Sequence, residues 1–77
     1  MAIYRERAEA MQAALEALDA EHREVVRLRL YEERTMEEIA VALDIGLGAA
    51  KHRFRRGAEE YRRFLKHAVA TRSARSR

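Results

Sequence analysis

Apolar residues return every three to four positions along most of the chain, and the interruptions in that rhythm divide it into four segments. Tyr4, Ala8, Met11, Leu15 and Leu18 are spaced four, three, four and three residues apart, which lines one face of an amphipathic helix from about Ala2 to Leu18. Core packing is the first role expected of that face. Asp19 is placed to cap a second helix, about Ala20 to Glu32, through its side-chain acceptor, with Glu21 and Glu24 near the positive end of the helix dipole. Val25, Val26, Leu28, Leu30 and Tyr31 cover more than one stripe, so this helix is expected to be central. Its Arg23, Arg27 and neighbouring glutamates read as a solvated, ion-paired face.

Glu32, Glu33 and Arg34 form the next break, marked by neither glycine nor proline. Thr35-Met36-Glu37-Glu38 then reads as a capping box: the Thr35 hydroxyl accepts from the Glu38 amide while the Glu38 carboxylate accepts from the Thr35 amide. A third helix of about two turns follows from Met36, with Met36, Ile39, Ala40 and Leu43 on its buried side. Capping and dipole account for Glu37 and Glu38 without catalysis or a metal. Asp44, Ile45 and Gly46 make a three-residue connection with an apolar plug in the middle.

The fourth helix is predicted from Leu47 to about Ala68. At about 100° per residue, Leu47, Ala50, Phe54, Gly57, Ala58, Tyr61 and Leu65 fall on its apolar stripe. Gly48, His52, Arg55, Arg56, Arg63 and Lys66 fall opposite, with Lys51 and Arg53 on the two flanks. A short helix, a three-residue turn and a long basic helix together form the helix-turn-helix pattern. The expected fold class is therefore all-α: a small four-helix domain over residues 1–68 with a C-terminal helix-turn-helix and no winged element. Residues 69–77 are expected to be a basic, flexible tail.

Composition narrows the functional classes. A chain of 77 residues buries only roughly 60% of its unfolded surface, too little for a large catalytic cleft. Cysteine and proline are both absent, which removes disulfides and Cys-based zinc sites and fits a reducing cytoplasm. No run approaches the roughly 20 apolar residues of a membrane span, and no signal-peptide core opens the chain. A soluble, cytoplasmic protein with no membrane partner is expected.

The net charge of +3 conceals a segregation of sign. Six arginines against eleven acids leave residues 1–50 five negative, whereas ten Lys and Arg against Glu59 and Glu60 leave residues 51–77 eight positive. A basic segment behind an acidic scaffold points to a polyanion, with nucleic acid first and an anionic membrane surface second.

Duplex DNA needs a protruding helix whose exposed cations and donors reach the major groove from its N-terminal half. Lys51, His52, Arg55 and Arg56 occupy the second and third turns of the fourth helix. Arg55 or Arg56 suits a guanine edge, since a guanidinium bonds O6 and N7 together. Gly46, Gly48 and Ala49 leave the helix start uncrowded for a phosphate, and flanking Arg53 suits the backbone. The competing structural reading is a solvated face stitched by Arg55 with Glu59, Arg56 with Glu60, and Glu59 with Arg63. Arg62, Arg63, Lys66, Arg72, Arg75 and Arg77 offer phosphate attraction without sequence information, or simply a solubilising terminus.

No catalytic, metal or cofactor site emerges. His22, His52 and His67 are far apart without metal-ligand spacing, and Ser73 and Ser76 have no base nearby. His22 reads as a helix-surface residue. Tyr4, Tyr31, Tyr61, Phe54 and Phe64 fall at apolar spacings and read as core rather than as base-stacking platforms.

The run ALEALDAEHREVVRLRLYEERTMEEIAVALDIGLGAAKHRFRRGAEEYRRFL, Ala14 to Leu65, resembles region 4 of bacterial RNA polymerase sigma factors, particularly the extracytoplasmic-function group. Members of that group show an ALxxL helix end, a REVxxLR second helix, an SxEEIA third helix and a GTVKSRxxRAR recognition helix. EHREVVRLR followed by TMEEIAVALDI carries the likeness most specifically. The resemblance implies binding to the upstream (minus 35) promoter element in double-stranded DNA and docking on the flap of the RNA polymerase β subunit, with an anti-sigma factor as a further partner and no small-molecule substrate. By position it assigns Lys51, His52, Arg55 and Arg56 to DNA and Gly48 and Ala49 to a phosphate-facing helix start. Leu15, Leu18, Val26 and Leu30 are the candidate partner-binding residues.

The chain departs from the pattern at several places: Glu33 stands for glycine, Gly46 for serine or proline, Ala49 and Ala50 for threonine and valine, His52 for serine and Gly57 for alanine. Ala50 is expected to pack less well than valine, and each of the three glycines to cost up to about 1 kcal/mol. Nothing in these residues matches the sigma region that melts DNA, so the chain reads as an excised domain or a free-standing regulator. Two other functions fit the residues: a LuxR-like regulator, which AAKHRF echoes and which dimerises on paired half-sites, and an interaction module bound by an anti-sigma-type partner.

Overall fold

Strong helix formers and the absence of proline leave the chain few alternatives to helix, and the computed structural model is helical at every predicted segment. It describes residues 2–75, with the side chains of Arg5 and residues 7–70. Helix α1 spans Ala2–Ala17, α2 Ala20–Val26, α3 Met36–Leu43 and α4 Leu47–Arg75. Between α2 and α3 the chain continues into a single π-helical turn, Arg27–Tyr31, so the second helical segment ends one residue before its predicted limit.

Two groups of buried side chains hold the four helices. Ala14 and Leu15 of α1, with Leu18 just beyond its end, meet Val26 of α2 and Tyr61 of α4. Val25 and Leu28 meet Ile39 and Ala40 of α3 and Ala50 of α4. Adjacent Val25 and Val26, both fully buried, thus face opposite groups, which is why the second helix is apolar on more than one side. Phe54 packs against both groups and joins them into one core. Its position on α4 makes the recognition segment part of the scaffold rather than an appendage.

The α1 face differs from the predicted stripe. Leu15 and Leu18 are buried as expected, but Ala8 is exposed and Met11 is 38% exposed, whereas Ala10 and Ala14 are covered. Small residues at the contact let the α1 and α4 backbones approach, a role that hydropathy alone does not reveal. The Tyr4 side chain lies outside the described residues. Because Ala14 to Leu18 pack on Tyr61 while Arg7 and Met11 line a groove with Leu65 and Val69, α1 runs antiparallel to α4.

The turns are built from backbone and side-chain bonds together. Asp19 does precede α2, and its carbonyl accepts from the Arg23 amide at 2.8 Å, but its carboxylate makes no cap bond. Arg23, expected on a solvated face, instead reaches back and donates to the Leu18 carbonyl at 2.9 Å, placing a cation at the negative end of α1. Arg27 is ion-paired with Glu24 and Glu32, as that face predicted. Glu33 takes a left-handed conformation at φ 55°, which explains why a glycine suits that position. The Thr35–Glu38 capping box forms: the Glu38 amide donates to Thr35 Oγ1 at 3.1 Å and the Thr35 amide to Glu38 Oε1 at 2.8 Å.

Helix α4 continues seven residues past its predicted end at Ala68, with its last assigned residue at Arg75. No glycine or proline stops it there. Ser76 and Arg77 lie outside the described residues, as do the side chains of Arg72 and Arg75.

Candidate nucleic-acid interface

Position of the basic helix is set by the turn before it. Asp44 closes α3 in the left-handed region at φ 54°, a conformation that aspartate tolerates better than most side chains. The Ile45 amide donates to the Ala40 carbonyl at 2.9 Å, and its half-buried side chain packs on the second core group. This is the apolar plug foreseen in the connection. Gly46 contributes its carbonyl to the Ala50 amide at 3.0 Å and no side chain, so the first-turn amides of α4 face outward without an intrahelical acceptor.

From that start, α4 sorts its residues by direction. Ala50 is fully buried, Tyr61 nearly so, and Phe54, Ala58 and Leu65 are half-buried. Leu47, expected on the buried stripe, is 38% exposed. Ala50 fits where α3 and α4 come together, so its small size serves their close approach. Gly57 is also buried, against α2: a methyl there would lie 2.9 Å from Val26 Cγ2 and 3.3 Å from the His22 carbonyl. The fourth-helix glycine that sequence alone marks as a cost is thus the point at which two helices touch.

Gly48, Ala49, Lys51, His52, Arg55 and Arg56 are all exposed. Nothing stands within 4 Å of where a Gly48 Cβ would be, so the start of the helix is open to an approaching backbone. Arg53 is half-buried on the flank beside α2, its Nη2 3.9 Å from Glu21 Oε1. The stitching that would make this a merely solvated face does not form among the described residues. Glu60 pairs instead with His22, which is consequently half-buried between α2 and α4 and not the surface residue expected. Lys51, Arg55 and Arg56 carry no ion pair among the described residues. They form a cationic surface with its donors unspent.

The four partner-binding candidates separate. Leu15, Leu18 and Val26 are 5%, 2% and 0% exposed and belong to the first core group; their apolar spacing reflects packing. Leu30 alone is open, at 48% exposure, on the π-helical turn. Tyr31 beside it is also partly exposed and bonds the Tyr61 hydroxyl at 3.0 Å; burial and that bond push the Tyr61 phenol well above its ordinary value. Phe64, read as core, is partly exposed. Sequence reasoning missed a groove at the far end of the α1–α4 pair, lined by Arg7, Met11, Leu65 and Val69. Only two helices meet there, and periodicity cannot count how many neighbours a stripe will have.

Among the described residues no helix is long and apolar enough to cross a membrane. A two-turn helix with a capping box, a plugged left-handed turn and a basic helix whose outer cations Lys51, Arg55 and Arg56 are unpaired among the described residues form a helix-turn-helix. A family model described as sigma-70, region 4 matches residues 14–63, and the chain belongs to that family, a DNA-binding regulatory domain of transcription initiation rather than an enzyme family. No curated protein and no solved structure gave a significant match.

Proposed function

We propose that the domain reads the upstream (minus 35) promoter element with the N-terminal half of α4 and docks on the β-subunit flap of RNA polymerase, acting in the cytoplasm as the region 4 of an extracytoplasmic-function type sigma factor. The observation that carries the reading is the outward face of Lys51, His52, Arg55 and Arg56: four exposed donors on consecutive turns, none ion-paired among the described residues, on a helix anchored behind by Ala50 and Phe54. Free guanidiniums break no ion pair on meeting a base edge, and the planar fork makes two bonds for one side chain ordered. Arg55 and Arg56 are assigned to bases, Lys51 and His52 to bases or the adjoining backbone, Arg53 to a phosphate, and the Gly48–Ala49 start to a second phosphate. Leu30 on the π-helical turn is the candidate that remains free for the polymerase.

Selection of duplexes from random DNA, with and without the isolated flap domain, tests the proposal. One enriched sequence is expected, recovered more strongly with the flap present. Arg56→Ala is expected to weaken binding to that sequence by roughly 1–3 kcal/mol with unchanged helical circular dichroism. Equal affinity of parent and variant defeats the assignment of Arg56.

A further inference from the structure

One cation on the recognition helix has a carboxylate from another helix beside it. Arg53 Nη2 lies 3.9 Å from Glu21 Oε1, whereas Lys51, Arg55 and Arg56 have no such partner among the described residues. The two members of the pair differ in freedom: the Arg53 side chain is 30% exposed along the flank of α2, while Glu21 is 71% exposed in the first turn of that helix. Their separation exceeds hydrogen-bond range. Charge alone links them, so no directional bond has to break when one is exchanged for another partner.

A DNA phosphate on this flank would seek the same guanidinium and carry the same sign as Glu21. Carboxylate and phosphate close together repel, and the exposed carboxylate is the one able to swing into water. We propose that Glu21 is a built-in competitor for the DNA backbone: its carboxylate engages Arg53 in the free domain and gives way to a phosphate when the duplex binds. This inference rests on the DNA-binding reading above. The competition lowers affinity for every duplex by the same factor, whereas base contacts from Arg55 and Arg56 add only on the right sequence. Glu21 therefore weakens the phosphate hold on every site alike and leaves the preference for one sequence to Arg55 and Arg56.

A double-mutant cycle on the full chain separates this from general repulsion between an acid and DNA. The probe is a random-sequence duplex titrated at about 50 and about 200 mM salt, a range over which phosphate contacts weaken steeply. Glu21→Gln is expected to tighten binding roughly two- to five-fold at the lower salt, the range an exposed ion pair commands, with most of the gain gone at the higher salt. In an Arg53→Ala background the same substitution is expected to change nothing. No gain from Glu21→Gln overturns the proposal, and so does an equal gain without Arg53, which would mark Glu21 as a distant charge only. If Arg56→Ala weakens binding to the selected sequence while the cycle is additive, the competitor falls and the DNA reading stands. If the parent binds no duplex, both fall.

Discussion

Glycine-to-alanine substitutions at two positions of α4 should move stability in opposite directions. In a helix interior alanine gains about 1 kcal/mol over glycine through backbone entropy alone. Gly48 sits in the open first turn, where an added methyl meets no atom within 4 Å. There the gain stands, reduced by the frayed end, and Gly48→Ala should stabilise the free domain by up to ~1 kcal/mol. At Gly57 the same gain is opposed. The methyl would arrive 2.9 Å from Val26 Cγ2 and 3.2 Å from His22 Cβ, and neither neighbour yields easily. Val26 is fully buried and β-branched, with a stiff first side-chain torsion, and the nearby His22 carbonyl moves only if α2 moves. Overpacking of this kind costs about 1–3 kcal/mol, so Gly57→Ala should come out destabilised by about 1 kcal/mol net, or roughly 4–8 °C in melting temperature for a domain of this size. Thermal and urea unfolding followed by far-ultraviolet circular dichroism read both variants. A Gly57→Ala protein as stable as Gly48→Ala would show that the α2–α4 contact is looser than its geometry states, and the reasoning would fail.

Two further outcomes follow from the connections between helices. Glu33 holds φ 55°, a region that costs a side-chain-bearing residue about 1–2 kcal/mol; set against the greater freedom glycine gives the unfolded chain, Glu33→Gly should stabilise by up to ~1 kcal/mol, and an unchanged urea midpoint would refute the strain. The Thr35 backbone amide, followed by the Thr35 hydroxyl and the Arg34 charge, holds the Glu38 carboxyl below its ordinary 4.5. A carboxyl depressed in the folded state adds stability above its unfolded value and loses it as pH falls through the folded one. The stability difference between parent and Glu38→Gln should therefore be constant near neutrality and shrink below pH 4.5, as read by urea titrations across that range; a difference that grows on acidification would reverse the sign.

Helix number, the capping box and the direction of the basic face were legible because each depends on neighbours within four residues. The Thr35–Glu38 box is complete within its own quartet, and the outward set from Gly48 to Arg56 needs only the helical period. What sequence could not carry was identity of neighbours. Leu15, Leu18 and Val26 have the spacing of a docking face and the burial of a core, and the two are the same pattern until another helix arrives. Gly57 looked like a propensity loss because its compensation comes from Val26 and His22, more than thirty residues earlier. His22 looked exposed for the same reason, its partner being Glu60 on another helix. The length of α4 was underestimated because the polar tail was read from composition, while the helix carried on in the absence of any stop signal.

The continuity of α4 turns residue number into a coordinate. Its 29 residues make a rod of about 43 Å, most of the 47 Å length of the domain, and every position along it is fixed both as a distance of about 1.5 Å and as a turn of about 100° from the last. The groove-facing turns and the far end beside α1 therefore keep a set phase. A residue inserted beyond Tyr61 would leave the basic face where it is and rotate everything past the insertion by nearly a third of a circle, so that whatever gripped the far end would be aimed differently at the duplex without any contact to DNA having changed.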